Sequence, residues 1–360
     1  MTKQSITPLE QLILNTIQDA FPLEERPYKA LAELFNKQGS VGSVTEQQVF
    51  DAVEGLRNSG VIRRIGGVYD SRRLGFISRL CAGIVPEASL ENFAATVNEI
   101  PAITHNYVRS HDFNVWFTVI AQSEDEIHAV VDKLCAQTDL HDVHVLSVTK
   151  KFKIDTVMTR GKRPNVIAQA HDRFGSAMPV CKQPVAALAS HVIARNVVTK
   201  QSTEECHPEC SVAKSKDLSH SDRVRIRIAC TDIPHTLTPY ADWGVSVKEL
   251  REDIANGYMR RFGAILRHQQ AGFAFNAMVC FNARESSFGD ILAKNPHVSH
   301  CYERPAFEGF PYNLYAMMHA QSAEDLDRFI KEAAQSIGNP DYAVLHSLRE
   351  LKKTSFHFFA

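Results

Sequence analysis

A chain of 360 residues is long enough for two or three ordinary domains, each with a core of its own. Its 40 basic and 41 acidic side chains leave a net charge of -1, so no global field draws it to nucleic acid or to an anionic membrane. No run approaches the roughly 18 apolar residues of a membrane span and the N-terminal residues lack a signal-peptide core, so a cytoplasmic protein is expected. Three of the eight cysteines (Cys81, Cys135, Cys280) lie inside apolar stretches, which fits reduced core residues better than a disulfide framework.

Residues 9–18 and 28–37 carry apolar side chains at helical spacing, with Pro27 just ahead of the second run. Thr45 and Gln48 have capping-box spacing and open a third helix with Val49, Val53 and Leu56 on one face. Gly60 ends it and VIRRIGGVY follows as a strand, so residues 1–75 read as a winged helix-turn-helix whose wing is a strand hairpin. From Phe76 to residue 159 the order is strand, helix, strand, strand, helix, strand. That is a ferredoxin-like β-α-β-β-α-β unit, one antiparallel sheet with two helices over a single face.

Residues 160–221 are rich in His, Pro, Cys, Ser and Lys, show one helical patch at 184–197, and read as a connector. Cys206 and Cys210, with Cys181 and His220 nearby, offer a CxxxC spacing to a soft metal, but the segment is polar and unlike a zinc knuckle. A flexible linker is the stronger reading. Residues 222–272 repeat the winged helix with one helix shortened or lost, since fewer residues separate Asp222 from Gly263 than precede Gly66. Residues 273–355 repeat the ferredoxin-like order. The fold class is therefore α+β: tandem winged helix-turn-helix and ferredoxin-like domains, with the two open sheet faces covering one another in an intramolecular pseudo-dimer.

The duplication is clearest in VIRRIGGVYDSRRLGF (61–76) and YMRRFGAILRHQQAGF (258–273), a spacing far too long for a solenoid repeat. Asp70-Ser71 in the first copy becomes Arg267-His268 in the second, which adds a cation and a titratable base. Adjacent strand residues point to opposite faces, so each doublet, Arg63-Arg64 and Arg260-Arg261, gives at most one guanidinium to a shared cavity. A basic wing also suits a solvated surface or DNA phosphates. The third helix argues against DNA, because its only cation, Arg57, is balanced by Asp51 and Glu54.

In the second copy His300, Tyr302 and Arg304 share one strand face, and after an FEGFP insertion Asn313, Tyr315, Met317 and His319 share another. The first copy has His105-Asn106-Tyr107-Val108-Arg109, no insertion, and Ile120 in place of His319. A hydrogen-bonded core histidine is the alternative for His319 or His300 taken singly. The group together wants a polar occupant. Arginine, histidine and tyrosine beside Met and Phe suit a large flat ligand with carboxylates, which arginines grip and near which a histidine trades a proton at neutral pH. No phosphate loop, GxGxxG opening or glycosidase-type carboxylate pair occurs.

Both halves resemble the siroheme decarboxylase family, relatives of the Lrp/AsnC regulators. The shared RRxGxxxxxxxxGF run carries the likeness, and the second copy adds CYERP and PYNLYAMMH. It covers residues 8–155 and about 222–352. The resemblance implies loss of CO2 from the C12 and C18 acetates of siroheme to give 12,18-didecarboxysiroheme, on the haem d1 branch or the alternative protohaem route. A fused chain looks more like the former.

It also carries a pocket onto Arg267, His268, Arg304 and His319, with Tyr302 and Tyr315 beside them. His268 or His319 would be the acid, and Arg304 or Arg260 would hold a propionate or acetate. A histidine that instead ligated the iron would leave the acid role to its partner. Arg261, Asn313 and His300, with Arg63 and Arg109 from the first copy, complete the expected substrate contacts. The macrocycle delocalises the electron pair that CO2 leaves behind, so no cofactor is expected beyond the iron tetrapyrrole substrate. Expected partners are siroheme or its product, a second copy of the chain, and other haem d1 pathway proteins, with neither DNA nor membrane. The rivals are a transcription regulator sensing a tetrapyrrole or amino acid, and a non-catalytic tetrapyrrole carrier. Since the first copy departs at Asp70-Ser71 and Ile120, the second is the expected active half.

Overall fold

The computed structural model describes residues 6–39, 41–154, 218–241, 243–267 and 275–359. His268, the patch at 184–197, and Cys181, Cys206 and Cys210 lie outside the described residues. The first copy runs α1 (Pro8–Ile17), α2 (Pro27–Gln38), α3 (Glu46–Asn58), β1 (Ile62–Tyr69), β2 (Ile77–Ile84), α4 (Leu90–Glu99), β3 (Ile103–Arg109), β4 (Val115–Ala121), α5 (Glu124–Gln137), β5 (His141–Leu146) and β6 (Lys150–Ile154). The second runs α6 (His220–Ala229), α7 (Val247–Ala255), β7 (Met259–Leu266), β8 (Phe275–Phe281), α8 (Ser287–Lys294), β9 (Val298–Glu303), β10 (Leu314–Ala320), α9 (Ala323–Ser336) and β11 (Tyr342–Lys353).

The expected capping box of Thr45 and Gln48 is present, and α1, α6 and α7 open on boxes of their own. The helix missing from the second copy is the counterpart of α2. Among the described residues between α6 and α7 no helix forms, and Tyr240 and Trp243 pack on Phe262 instead.

The wing differs from expectation. Strand β1 forms no hairpin within its own copy but pairs antiparallel with β7, Gly66 opposite Gly263, so the two copies share one ribbon. Both positions demand glycine. A Cβ on Gly66 would lie 2.3 Å from the Thr231 carbonyl oxygen, and one on Gly263 would lie 2.6 Å from that of Ile17. These carbonyls close α6 and α1, so the ribbon is clamped between the first helices of both copies. The helical halves consequently share one apolar core. Arg57 is drawn into it, with its side chain 5% exposed against Glu54 and Asp232, while Asp51 accepts from Gln47 instead.

The remaining strands form one sheet in the order β5-β2-β4-β3-β11-β8-β10-β9-β6, and only Ser147, Val148 and Thr149 separate β5 from β6. The two edge strands of the sheet are therefore consecutive in the chain. The two copies are joined through strands that change partners: β11 pairs first with β8 and then with β3, while β6 joins β9 of the other copy. The exchange is locked by cations. Lys352 Nζ caps the end of α4 through Val97 O (2.9 Å) and Ile100 O (2.7 Å), and Lys153 Nζ caps the end of α8 through Asn295 O (2.9 Å).

Helices α4 and α5 cover one outer face and α8 and α9 the other. The inner faces meet as expected, Trp116 lying 5.4 Å from Phe310 and 6.3 Å from Tyr315. The FEGFP insertion folds inward at the end remote from the ribbon, where Phe307 stacks on His144 at 4.1 Å and Phe310 is fully buried. Trimming such a ring costs about 3–5 kcal/mol. One copy thus plugs the apolar end for both.

Candidate functional site

The opposite end of the sheet interior, beneath the ribbon, is polar. Strands β3 and β9 each bring a His-x-Tyr-x-Arg run to the inner face: His105, Tyr107 and Arg109 from one copy, His300, Tyr302 and Arg304 from the other. Both strands bulge by one residue just before the histidine, at Thr104 and Ser299. The imidazoles are close enough to feel each other. His105 is pushed down to about 4 by burial, then by Lys353, Arg63 and His300. Both tyrosines are pushed up by burial. His105, Tyr107, His300, Tyr302, Met317 and His319 lie between the two sheet faces yet keep solvent-accessible surface, so they border a space and not a packed core.

Cations flank this space on both sides. Over β3, Arg63 donates to Ser355 Oγ (2.5 Å) and to Lys353 O (3.5 Å). It is held below its ordinary value by burial and then by Arg267. Over β9, Arg260 and Arg72 lie near Tyr302, and Lys151 is lowered by burial and then by Arg72. The acids facing these groups are Glu350, which accepts from Tyr107 Oη at 3.3 Å, and Asp70. Positive charge is in clear excess, an arrangement that anionic side arms would neutralise.

The expected residues divide. His300, Tyr302, His319, Arg63 and Arg260 come together, but Arg267 does not join Arg304. Its N–H bonds Val61 O at 3.0 Å where β7 ends beside the start of β1, which sets it over β3 with Arg63. The two contrasts between the copies, Asp70 against Arg267 and Ile120 against His319, thus fall on opposite sides of the pseudo-two-fold. Cations contributed by both copies therefore flank the histidines.

Arg304 and Arg109 are 8% and 5% exposed. Arg304 Nη1 donates to Leu146 O at the end of β5 (2.9 Å) and Arg109 Nη1 to Leu345 O on β11 (3.1 Å), each bracing a strand of the other copy. Both lie over tyrosines, Arg304 at 5.2 Å from Tyr302 and Arg109 at 5.1 Å from Tyr107. Burial lowers Arg304 and takes Arg109 down to about 10. Tyr315 is buried beside Arg304 with its hydroxyl unpartnered, on the border with the apolar core.

Asn313 is a turn clip: its side chain accepts from Ala283 N (2.8 Å) and donates to Ala283 O (3.0 Å). Asn114 clips Val85 identically in the first copy. Arg261 faces away from Arg260 and donates to Gln18 O on the helix side of the ribbon. Missing from the expectation were His105, Tyr107, Lys151, Lys353 and Ser299. The repeated His-x-Tyr-x-Arg spacing was the signal for the first two. Among the described residues no group of His, Cys, Asp or Glu is placed to hold a metal.

The sequence matches the Siroheme decarboxylase NirDL-like HTH domain over residues 10–63 and the AsnC-like ligand binding domain over 73–153 and 270–352. It is 42% identical to the siroheme decarboxylase alpha subunit of Desulfovibrio desulfuricans over 146 residues, 41% of this chain and 80% of that one. The chain belongs to the siroheme decarboxylase family. Members of this family are enzymes, and the likeness extends to the fused architecture. The siroheme decarboxylase of Hydrogenobacter thermophilus is 29% identical over 97% of this chain and 94% of its own. A crystal structure of the siroheme decarboxylase NirDL, in co-complex with an iron-uroporphyrin III analogue, superposes with a TM-score of 0.61 and 26% identity, covering 97% of this chain and 93% of that one.

Proposed function

We propose that this enzyme removes CO2 from the C12 and C18 acetates of siroheme to give 12,18-didecarboxysiroheme, in haem d1 biosynthesis. The observation that carries the proposal is the pair of His-x-Tyr-x-Arg strands beneath the shared ribbon, ringed by Arg63, Arg267, Arg260, Arg72, Lys151 and Lys353. A tetrapyrrole lying across the pseudo-two-fold offers acetates and propionates to cations on both sides. Arg63, Arg267, Arg260 and Arg72 grip these arms, while Arg304 and Arg109, already bonded to backbone carbonyls of the other copy, position the tyrosines.

The carbon–carboxylate bond breaks heterolytically. CO2 departs, the bonding pair stays on the CH2 carbon and spreads into the macrocycle, and a proton turns the arm into methyl. His319 and the neighbouring His300 are the acids in reach on the second-copy side, with His268 a further candidate. In this reading residues 76–159 and 273–355 are the ligand-binding units, 1–75 and 222–272 the roof, and 160–221 the connector. The reaction is cytoplasmic, and no described helix is long and apolar enough to cross a membrane. A DNA-binding regulator is disfavoured by the burial of Arg57, the cation of α3.

The test is anaerobic incubation of the purified protein with siroheme, the tetrapyrrole then being weighed by mass spectrometry. Loss of two CO2 units is expected. Siroheme bound but recovered unchanged would favour a carrier and contradict the proposal.

A further inference from the structure

Ser299 is the extra residue of the β9 bulge, since Met317 pairs with His300 and Met318 with Val298. Its hydroxyl oxygen lies 3.0 Å from His319 Nε2, 3.0 Å from His300 Nδ1 and 3.2 Å from the Met317 carbonyl oxygen. A serine hydroxyl has one hydrogen to donate and two lone pairs to offer. Its hydrogen can go to Met317 O or to His300 Nδ1 while a lone pair accepts from His319 Nε2, the direction at each imidazole being set by its tautomer. The groups around the pair include Tyr302, stacked on His300 at 6.3 Å, Met317 on β10, and His105 across the pseudo-two-fold.

Resting on the decarboxylase reading above, we propose that Ser299 is a proton relay that joins His319 and His300 into a single acid for the decarboxylation. As the bond to the carboxylate breaks, the hydrogen on His300 Nε2 passes to the CH2 carbon. The Ser299 hydrogen moves to His300 Nδ1, and the proton on His319 Nε2 moves to Ser299 Oγ. CO2 leaves, the carbon gains one proton, and His319 goes from imidazolium to neutral imidazole. No oxidant or reductant enters.

The first copy shows what the relay requires. Thr104 occupies the matching bulge with its hydroxyl 3.0 Å from His105 Nδ1, but the third position is Ile120, so among the described residues this hydroxyl joins no second imidazole. The same comparison shows that threonine fits at this bulge.

Ser299 acts through the histidines, so its test separates turnover from binding. Wild type, Ser299→Ala and Ser299→Thr are compared in siroheme turnover and in siroheme titration followed by absorbance. Ser299→Ala is expected to lower kcat at least about tenfold, with KM and the titration little changed, and Ser299→Thr to restore kcat. Wild-type kcat in Ser299→Ala, equal losses in both variants, or weakened binding alongside kcat would overturn the relay. Wild-type protein that binds siroheme without releasing CO2 would overturn the decarboxylase reading instead.

Discussion

Strands β3 and β9 carry the same His-x-Tyr-x-Arg run, the same bulge and the same arginine brace, yet their surroundings differ. On the first-copy side the chain's own tail moves in: Phe356, Phe358 and Phe359 pack edge-on around Phe76 at 5.3, 5.3 and 5.5 Å, beside Ile120. Ser355 meanwhile takes hydrogen bonds from Arg63 and Arg64. On the second-copy side the place of Ile120 is taken by His319, tied through Ser299 to His300. Duplication supplied two equal frames, and divergence put apolar packing on one and a titratable pair on the other. The ribbon then crosses the division, because β7 carries Arg267 over the first-copy strand.

The largest effect expected from this asymmetry is kinetic. His300→Gln should lower kcat by about a hundredfold or more, the range of general acid catalysis, whereas His105→Gln should act mainly on KM. Steady-state turnover of siroheme by the two variants reads the difference, and equal losses of kcat would erase the distinction between the sides.

A smaller effect lies in stability. His105, held at about 4 against an ordinary 6.5, takes up a proton more readily in the unfolded chain. Its contribution is therefore complete above about pH 6.5 and is lost as pH falls through about 4, amounting to about 1–3 kcal/mol once solvent screening is allowed for. Denaturant unfolding of wild type and His105→Gln at about pH 7 and about pH 4.5 should show wild type losing more. Parallel losses would place the imidazole in a water-like setting.

Much of this arrangement was legible in the chain. The capping box at Thr45, the strand and helix order of both ferredoxin-like units, and the face shared by His300, Tyr302 and Arg304 follow from local periodicity, which sequence records directly. Helix α6 was obscured because Arg alternates with Val224, Ile226 and Ile228 at a strand-like period, although Ser219 and Asp222 form a capping box. Strand exchange was illegible for a different reason. Whether β1 pairs within its copy or with β7 depends on contacts far apart in the chain, and only the close approach at Gly66 and Gly263 decides it. Asn313 looked like a ligand contact on residue type, yet Asn114 at the matching position of the first copy marks both as parts of the fold.

The division of labour between the copies is tested most directly by single-turnover conversion of siroheme by His319→Ala, with binding followed by absorbance and product by mass. The expected result is siroheme bound as in wild type with release of CO2 slowed by about a hundredfold or more. Wild-type release of both CO2 molecules by His319→Ala would contradict it, and would move the chemistry away from the β9–β10 side.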